Sequence, residues 1–251
     1  MVSMSLKITD VPGIGKALAN EFSKLGVFSL EDVLLLSPRS YDDRRKERKL
    51  KDTSIEDPTI TCKVTVLSHS SFASKKGKVV KITAEDDNGD TLDILCFNRD
   101  YLGKMLKLGT EWYITATVQR NHYQYQTASF EIKRTKEEAG LGKILPIYPL
   151  AGSLSQKAIR QTVSYALQKL ELEDPMPYSI YEKYNLMHYK EALNELHFPT
   201  DNEMLSKARK SLAFTELFSM EIKMLRAKPE KHIIKKKRET SLERVFLKTL
   251  P

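Results

Sequence analysis

The stretch TLDILCFNRDY, residues 91–101, contains the end of a β-strand followed by the start of a helix. Its first half places an apolar residue at every second position, the period of a strand with one buried face: Leu92, Ile94 and Cys96. The strand should stop near Phe97. Asn98 is a favourable N-cap and Asp100 a favourable anion in a first turn, so we predict a helix from Asn98 to about Gly109.

Two aromatic residues, Phe97 and Tyr101, flank this junction. If the helix begins at Asn98, both rings project from one end of the sheet, where they could stack on nucleic-acid bases. The alternative that the pattern leaves open is that both rings cap the end of a hydrophobic core.

Four further segments alternate in the same way and predict strands over residues 60–69, 79–85, 111–119 and 125–134. The expected inward residues are Ile60, Cys62, Val64 and Val66, then Trp112, Ile114, Ala116 and Val118, then Ala128, Phe130 and Ile132. Asn88-Gly89 predicts a tight hairpin turn, and the run SSFASKKGK predicts a loop before residue 79.

The predicted order is three strands, a helix and two strands, which is the order of an OB-fold, a small Greek-key barrel that often binds oligonucleotides. A plain domain of five antiparallel strands is the alternative. We therefore predict an α+β chain, in which a five-stranded OB-fold β-barrel is flanked by an N-terminal helical hairpin and a C-terminal helical region.

The N-terminal segment, residues 11–37, predicts two amphipathic helices around a turn, with a capping box from Ser29 to Asp32. The turn P-G-I-G resembles a helix-hairpin-helix element, in which Gly13, Gly15 and Lys16 would present backbone N–H groups to a DNA phosphate. The alternative is a helical hairpin that only packs.

Residues 38–53 carry seven basic and four acidic side chains, a net charge of +3, and we predict a solvated basic linker. Its position between two candidate DNA-binding units also permits contact with the DNA backbone. Beyond residue 143 the pattern is helical, with Ser153 or Ser155 capping a first helix and the prolines at 175 and 177 interrupting the chain. Further helices are predicted over residues 189–196 and 202–227, and residues 228–239 form a basic linker.

These boundaries divide the chain into residues 1–53, the barrel at residues 54–136, helices at residues 137–227 that pack on the barrel, and residues 228–251. The last segment ends in an amphipathic helix, which leads us to expect a longer parent protein.

The chain has 251 residues, a formal net charge of +8 and a pI of about 9.2, a moderate bias towards polyanionic partners. Cys62 and Cys96 lie on the apolar face of predicted strands and should be buried thiols. The sequence contains neither a signal peptide nor an apolar run long enough to span a membrane, so we expect a soluble cytoplasmic protein and no membrane partner.

No catalytic or metal-binding pattern stands out. The phosphate-binding pattern G-x-x-x-x-G-K-[ST] does not occur, and the five histidines lack metal-ligand spacing. Asp86, Asp87, Asp90 and Asp93 fit a polar turn and an exposed strand face better than a metal site. We expect no enzyme activity from this chain alone. A nuclease is the enzymatic alternative.

Six stretches together resemble the N-terminal region of RecG, the bacterial branch-migrating DNA helicase. They occur in that family's order over residues 11–226: VPGIGKALANEFSKLGV, LLLSPRSYDDR, CFNRDYL, ILPIYPL with GSLSQKAIRQ, EALNELHFP and ARKSLAFTELF. The final SLERVFLKTLP is similar to the approach to the family's motor domains.

The resemblance implies a wedge domain that binds replication forks and Holliday junctions and parts their strands in DNA repair and recombination. In the family, two aromatics after the third strand stack on bases at the branch point, and Phe97 and Tyr101 occupy the matching positions. ATP and Mg²⁺ would belong to motor domains of the parent helicase. The protein would be a monomer in the bacterial cytoplasm, associated with the nucleoid.

Further candidate DNA contacts lie beside these two residues, around the barrel and on the last hairpin: Asn98, Arg99, Lys75, Lys76, Lys78, Arg120, His122 and Tyr123. The last hairpin, NHYQYQ, departs from the family's glycine-rich pattern, and Phe130-Glu131 stands where the family has a Pro-Glu pair, so the family's hairpin contacts do not transfer. The alternatives are a sequence-indifferent single-stranded DNA-binding module and a protein-docking module, for the parent's motor domains or for a single-stranded DNA-binding protein.

Overall fold

The computed structural model describes residues 6–74, 77–121 and 124–227. The chain divides into two compact units, Met1–Leu212 and Ala213–Pro251. The first unit contains a β-barrel and a helical core. The described part of the second unit is the end of one long helix.

The barrel consists of five strands, which are β2 (Thr59–Ser74), β3 (Gly77–Asp86), β4 (Thr91–Phe97), β5 (Glu111–Asn121) and β6 (Gln124–Lys133). The short helix α3 (Asp100–Met105) lies between β4 and β5. The strands close in the order β2-β3-β4-β6-β5, and only the β4–β6 pair is parallel. The α+β prediction and its OB-fold barrel are therefore confirmed, and the alternative of five purely antiparallel strands is wrong.

The barrel interior contains the apolar faces that the alternation predicted, including all four predicted residues of β2 and the residues Ile114, Ala116 and Val118 of β5. Ala128 is an exception, because it is exposed while Thr127 is 2 % exposed. The pairing of β5 with β6 shifts register between Thr117 and Gln119, so β6 contains an extra residue. This bulge reverses the inward and outward positions, and the inward prediction for Ala128 is wrong.

The hairpin of β2 and β3 is longer than its sequence suggests. Strand pairing continues from Ser68 with Thr83 through Ser74 with Gly77, so much of the predicted loop SSFASKKGK is strand. The serines at positions 68, 70 and 71 obscure the alternation, but their backbone groups still complete the ladder with β3.

The helices at both ends of the first unit share one hydrophobic core. α1 (Lys16–Ser23) and α2 (Leu30–Leu35) contribute residues such as Phe22 and Val33, and α4 (Gln156–Lys169) and α6 (Tyr189–His197) contribute Ile159 and Leu193. The barrel core is a separate cluster. The buried faces of α4 and α6 meet the N-terminal hairpin in this core. Packing of the C-terminal helices on the barrel stays a prediction.

Two local predictions in this core have clear outcomes. The capping box is confirmed, since the Asp32 N–H donates to Ser29 Oγ and the Ser29 N–H donates to Asp32. Ser155, rather than Ser153, caps α4. A helix that the sequence did not predict, α5 (Tyr178–Tyr184), begins after Pro177. Proline interrupts a helix interior but is compatible with the first positions of a helix, so these prolines mark its start.

The predicted basic linker contains ordered structure. β1 (Ser40–Asp43) pairs with β7 (Ile144–Ile147) as an antiparallel ribbon, and Leu50–Asp52 forms a 3-10 turn. Arg44 bonds to Asp42 and donates to the carbonyl oxygen of Ala139 at 2.7 Å. The prediction of a solvated linker is therefore wrong. Arg44 of this segment binds Ala139, about a hundred residues later, and so helps to hold residues 38–53 against that part of the chain.

A buried histidine joins three elements of the helical core. His197 is 0 % exposed, its Nε2 lies 2.9 Å from the carbonyl oxygen of Leu34, and its Nδ1 lies 2.9 Å from the Tyr148 hydroxyl. A carbonyl only accepts, so Nε2–H donates and Nδ1 accepts from Tyr148. Burial lowers the pKa of His197 to about 4, and the ring is neutral near pH 7.

The long helix α7 (Asn202–Ala227) begins in the first unit. Its residues in the second unit leave several large apolar side chains exposed: Leu217, Met220, Met224 and Leu225. Among the helices that the structure describes, none is both long and apolar enough to cross a membrane.

Candidate nucleic-acid interface

The turn after β4 is made by Asn98, which adopts a left-handed conformation with φ of 53°. Asparagine tolerates this region better than most residues, and it turns the chain out of the sheet immediately after Phe97. The Asn98 N–H donates to the carbonyl oxygen of Lys78 at 3.4 Å. Arg99 is the residue that precedes the helix, without a side-chain cap, so the prediction that Asn98 is the N-cap is wrong.

The helix α3 is anchored by Leu102 and Leu106, which are 5 % and 1 % exposed in the barrel core. At Gly103 an added Cβ would lie 3.3 Å from Val80, so this turn of the helix is close to β3. The helix ends at Met105, because Leu106 leaves the helical conformation with ψ of 78°, and the Gly109 N–H then donates to the carbonyl oxygen of Val66 at 2.8 Å. The predicted extension to Gly109 is therefore wrong.

Both candidate stacking residues are exposed beside these anchors. Phe97 is 41 % exposed at the end of β4, and Tyr101 is 62 % exposed in the first turn of α3. The neighbours Cys96 and Leu102 are buried, so the backbone on each side of the turn is held by the core. If both rings capped a core, they would be buried. Both are exposed, so this alternative does not fit the structure. Their stacking on bases stays a prediction.

Cationic groups lie close to the two rings. Lys78 Nζ lies 3.5 Å from Asp100, with both side chains more than half exposed. The Arg99 guanidinium lies 5.5 Å from the ring centroid of Phe130, a cation–π contact that holds it at this end of the barrel. Arg120 makes a similar contact with Tyr125 at 5.6 Å, but Tyr125 is paired with Leu92, at the other end of β4 from Phe97. These side chains are available to DNA phosphates in addition to their internal contacts.

The thiols of the barrel are buried and free, as predicted. Burial raises the pKa of Cys96 to about 11, although Arg99 acts in the opposite direction, and burial raises the pKa of Cys62 to about 12. Both thiols are therefore protonated and unreactive at neutral pH.

The second candidate contact, at Gly13, Gly15 and Lys16, is far from these strands in sequence. Gly13 has φ of 86° and a Cβ at either glycine would meet nothing within 4 Å, so the turn is open to solvent. Lys16 is exposed at the start of α1. This geometry permits a phosphate contact, which stays a prediction. The candidates Lys75, Lys76, His122 and Tyr123 lie outside the described residues.

The acidic hairpin between β3 and β4 has a structural use. Asp86 is 4 % exposed, accepts the N–H groups of Asn88 and Asp90, and receives the Leu50 N–H at 3.3 Å. Within residues 6–74, 77–121 and 124–227, no group of three or more histidine, cysteine or acidic residues could hold a metal ion.

One residue beside the interface was missed by sequence reasoning. Phe72 was assigned to a loop, but in the structure it is paired with Val79 of β3, which is itself paired with Phe97. The signal in the sequence is weak, because a single aromatic residue stands among small residues, which are serines and one alanine.

The closed five-stranded barrel, with a helix between its third and fourth strands, defines an OB-fold protein. The model of the family described as "RecG wedge domain" matches residues 7–170. The chain belongs to the RecG wedge domain family.

Two curated relatives are similar to this chain over nearly all of its length. It is 35% identical over 261 residues to the ATP-dependent DNA helicase RecG of Thermotoga maritima, covering 100% of this chain and 33% of that protein. It is 30% identical over 243 residues to RecG of Borreliella burgdorferi, covering 94% and 35%. A solved structure of RecG bound to a three-way DNA junction matches with a TM-score of 0.75 and 33% identity, over 100% of this chain and 35% of that one. The chain thus spans about a third of the length of the curated relatives it matches.

Proposed function

We propose that this chain binds branched DNA, such as replication forks and Holliday junctions, and separates strands at the branch point as the wedge of a RecG-like helicase in DNA repair and recombination. The observation that carries the proposal is the exposure of Phe97 and Tyr101 on either side of the turn at Asn98. The neighbours of these two residues in the chain, Cys96 and Leu102, are buried in the barrel core and fix the backbone there. The relatives named as RecG helicases, one solved with a three-way junction, support it.

The energies match this task. Opening one base step costs a few kcal/mol. Stacking a base on an aromatic side chain returns about 1–3 kcal/mol and accepts any base. Phe97 and Tyr101 together therefore roughly offset the cost of opening one base pair, so the site would stabilise a branch that is already open and would not unwind a duplex.

Recognition would then depend on the shape of the DNA. Exposed cations such as Lys78 and Arg120 attract phosphates without reading sequence, and this part of the affinity falls as salt increases. The rings add affinity only where unpaired bases are available, which is at a branch or on a single strand.

A titration of three labelled DNAs tests the proposal. A three-way fork, a matched duplex and a matched single strand would be titrated at two salt concentrations with the unchanged chain and with Phe97→Ala/Tyr101→Ala. We expect the fork to bind most tightly. The double substitution should remove this preference and leave the salt-dependent duplex affinity.

Phe28→Ala/Tyr178→Ala is a matched control, because Phe28 and Tyr178 are 64% and 62% exposed and neither lies in the barrel. The control should bind the fork like the unchanged chain. Equal binding of fork and single strand would instead identify a sequence-indifferent single-strand binder. If all three DNAs bind alike and the double substitution has no effect, the proposal is wrong.

We also propose that the chain belongs to a longer ATP-dependent helicase, whose motor domains bind ATP and Mg²⁺, and that it acts as a monomer at the bacterial nucleoid in the cytoplasm. A steady-state ATP hydrolysis assay with fork DNA compares this chain with the parent protein. The 251-residue chain should not hydrolyse ATP, and the parent protein should.

A protein-docking role has one observation in its favour. In the second unit, Leu217, Met220 and Met224 are exposed at helical spacing and form an apolar stripe along α7. We propose the parent's motor domains as its partner, with single-stranded DNA-binding protein as the alternative. Hydrogen exchange in the parent should protect residues 217–225 more strongly than in this chain. Equal exchange would exclude the motor domains.

A further inference from the structure

Phe72 lies on the same outer face of the barrel as Phe97, two strands away. Phe72 of β2 is paired with Val79 of β3, and Val79 is paired with Phe97 of β4. Directly paired residues of antiparallel strands project from the same face of a sheet. Phe72, Val79 and Phe97 therefore form one row across three strands, which we call the apolar row.

Burial along the apolar row is uneven. Val79 is 1 % exposed, whereas Phe72 and Phe97 on either side of it are 47% and 41% exposed. The next outward residue of β3 is Lys81, so Val79 is an apolar interruption of a polar face. The row thus combines a covered centre with two rings that each keep much of their surface in solvent. At the spacing of strands in a sheet, the two phenylalanines stand about 10 Å apart.

Two lysines lie beside the apolar row, and each of them is paired with an aspartate. Lys78 precedes Val79 and its side chain is 61% exposed, and its contact with Asp100 is a solvent-exposed ion pair, a kind that contributes little to stability. Replacing that partner with a phosphate would therefore cost little. Lys81 lies in the adjacent row and bonds to Asp93 at 2.7 Å, which keeps a second cation on this face.

We infer that Phe72 is a third base-stacking residue, which extends the site of Phe97 and Tyr101 across β3 and takes an unpaired nucleobase of the branched DNA. This inference rests on the proposed function. Continuity with Phe97 through Val79, together with the adjacent lysines, favours a nucleobase with its phosphate over an apolar peptide. Because stacking accepts any base, Phe72 adds affinity for opened strands without adding sequence preference.

The test compares Phe72→Ala, Phe72→Leu and Phe72→Trp in the 251-residue chain, with Phe28→Ala as a matched loss of one exposed phenylalanine elsewhere. The probes are the fork, the matched duplex, and a fork with 2-aminopurine beside the branch. Losing one stacked base should weaken fork binding by at least about fivefold, since stacking is worth about 1 kcal/mol or more and 1.4 kcal/mol is tenfold. Duplex affinity and the slope of log K against log salt should not change, because no cation is removed.

Phe72→Leu keeps an apolar cover over Val79 but lacks a ring, so it should lose fork affinity and show less 2-aminopurine quenching. Phe72→Trp should retain the fork affinity and the 2-aminopurine quenching of the unchanged chain. Circular dichroism verifies the fold of each variant, and if Phe72→Ala is unfolded, the leucine and tryptophan variants carry the test. Fork binding by Phe72→Leu equal to that of the unchanged chain would overturn the inference. If Phe97→Ala/Tyr101→Ala still loses the fork preference in that case, the proposed function stands without Phe72. If neither variant has an effect, both proposals fail.

Discussion

Acid should destabilise the helical core through a single residue, His197. Its ring is fully buried between the carbonyl oxygen of Leu34 and the hydroxyl of Tyr148, and burial lowers its pKa to about 4. In the unfolded chain this pKa returns to its ordinary value of 6.5. Between these values the unfolded chain binds a proton that the folded chain does not, so the free energy of unfolding falls as the pH falls.

The size of the effect follows from the difference between the two pKa values. A difference of about two and a half units corresponds to about 3 kcal/mol in total. About 2 kcal/mol of this should be lost by about pH 5, and nothing above about pH 7.5, where both states are neutral. Set against a total stability of about 5–15 kcal/mol, such a loss is readily measured.

Urea unfolding from about pH 8 to about pH 5 measures this effect, with His197→Gln as the comparison. At about pH 8 the substitution should cost about 1–3 kcal/mol, because an amide cannot reproduce both hydrogen bonds. The unchanged chain should lose about 2 kcal/mol more than the variant between the two pH limits. Far-UV circular dichroism follows the helices, and the single tryptophan, Trp112, follows the barrel.

The difference between the two proteins isolates His197, because the carboxylates that also titrate in acid are common to both. If the stability difference is the same at about pH 8 and about pH 5, His197 accepts its proton in the folded state without penalty. That result would refute the buried neutral ring.

Three further predictions concern local structure, each measured by urea unfolding against the unchanged chain. Asp32→Ala should cost about 1 kcal/mol through the lost capping box, and a cost below about 0.3 kcal/mol would contradict this. Asp86→Ala should cost about 1–3 kcal/mol, because the buried N–H group of Leu50 loses its acceptor; unchanged stability would mean that water replaces it. Gly140→Ala should cost about 1–3 kcal/mol, because φ is 72° and its Cβ would lie 2.6 Å from Leu145 Cδ1; a stabilised variant would contradict this.

The barrel could be predicted because its strands alternate. In β5, Ile114, Ala116 and Val118 stand at every second position and are all buried, since one face of a strand meets the core. The same rule failed at Ala128, where one extra residue in β6 reverses the faces. A bulge leaves no reliable local pattern, because it depends on the partner strand.

The candidate site was predicted in part. The sequence indicated Phe97 and Tyr101 as neighbours of a strand exit, and the structure exposes both. It did not indicate that Asn98 adopts a left-handed turn, because a favourable N-cap and a favourable turn residue are the same residue type. The position of Phe72 in one row with Phe97 could not be predicted, since it depends on the pairing of both residues with Val79 of β3.

Local patterns in this chain are sufficient for the strands, the capped helix at Ser29 and the exposed strand exit, because each depends on residues within a few positions of one another. Pairings over long distances come only from the tertiary structure. β1 pairs with β7 about a hundred residues later, and His197 bonds to Leu34 across 163 residues. Four-residue strands and a lone histidine have no periodicity of their own, so their partners are selected by the burial and hydrogen bonding of the assembled core.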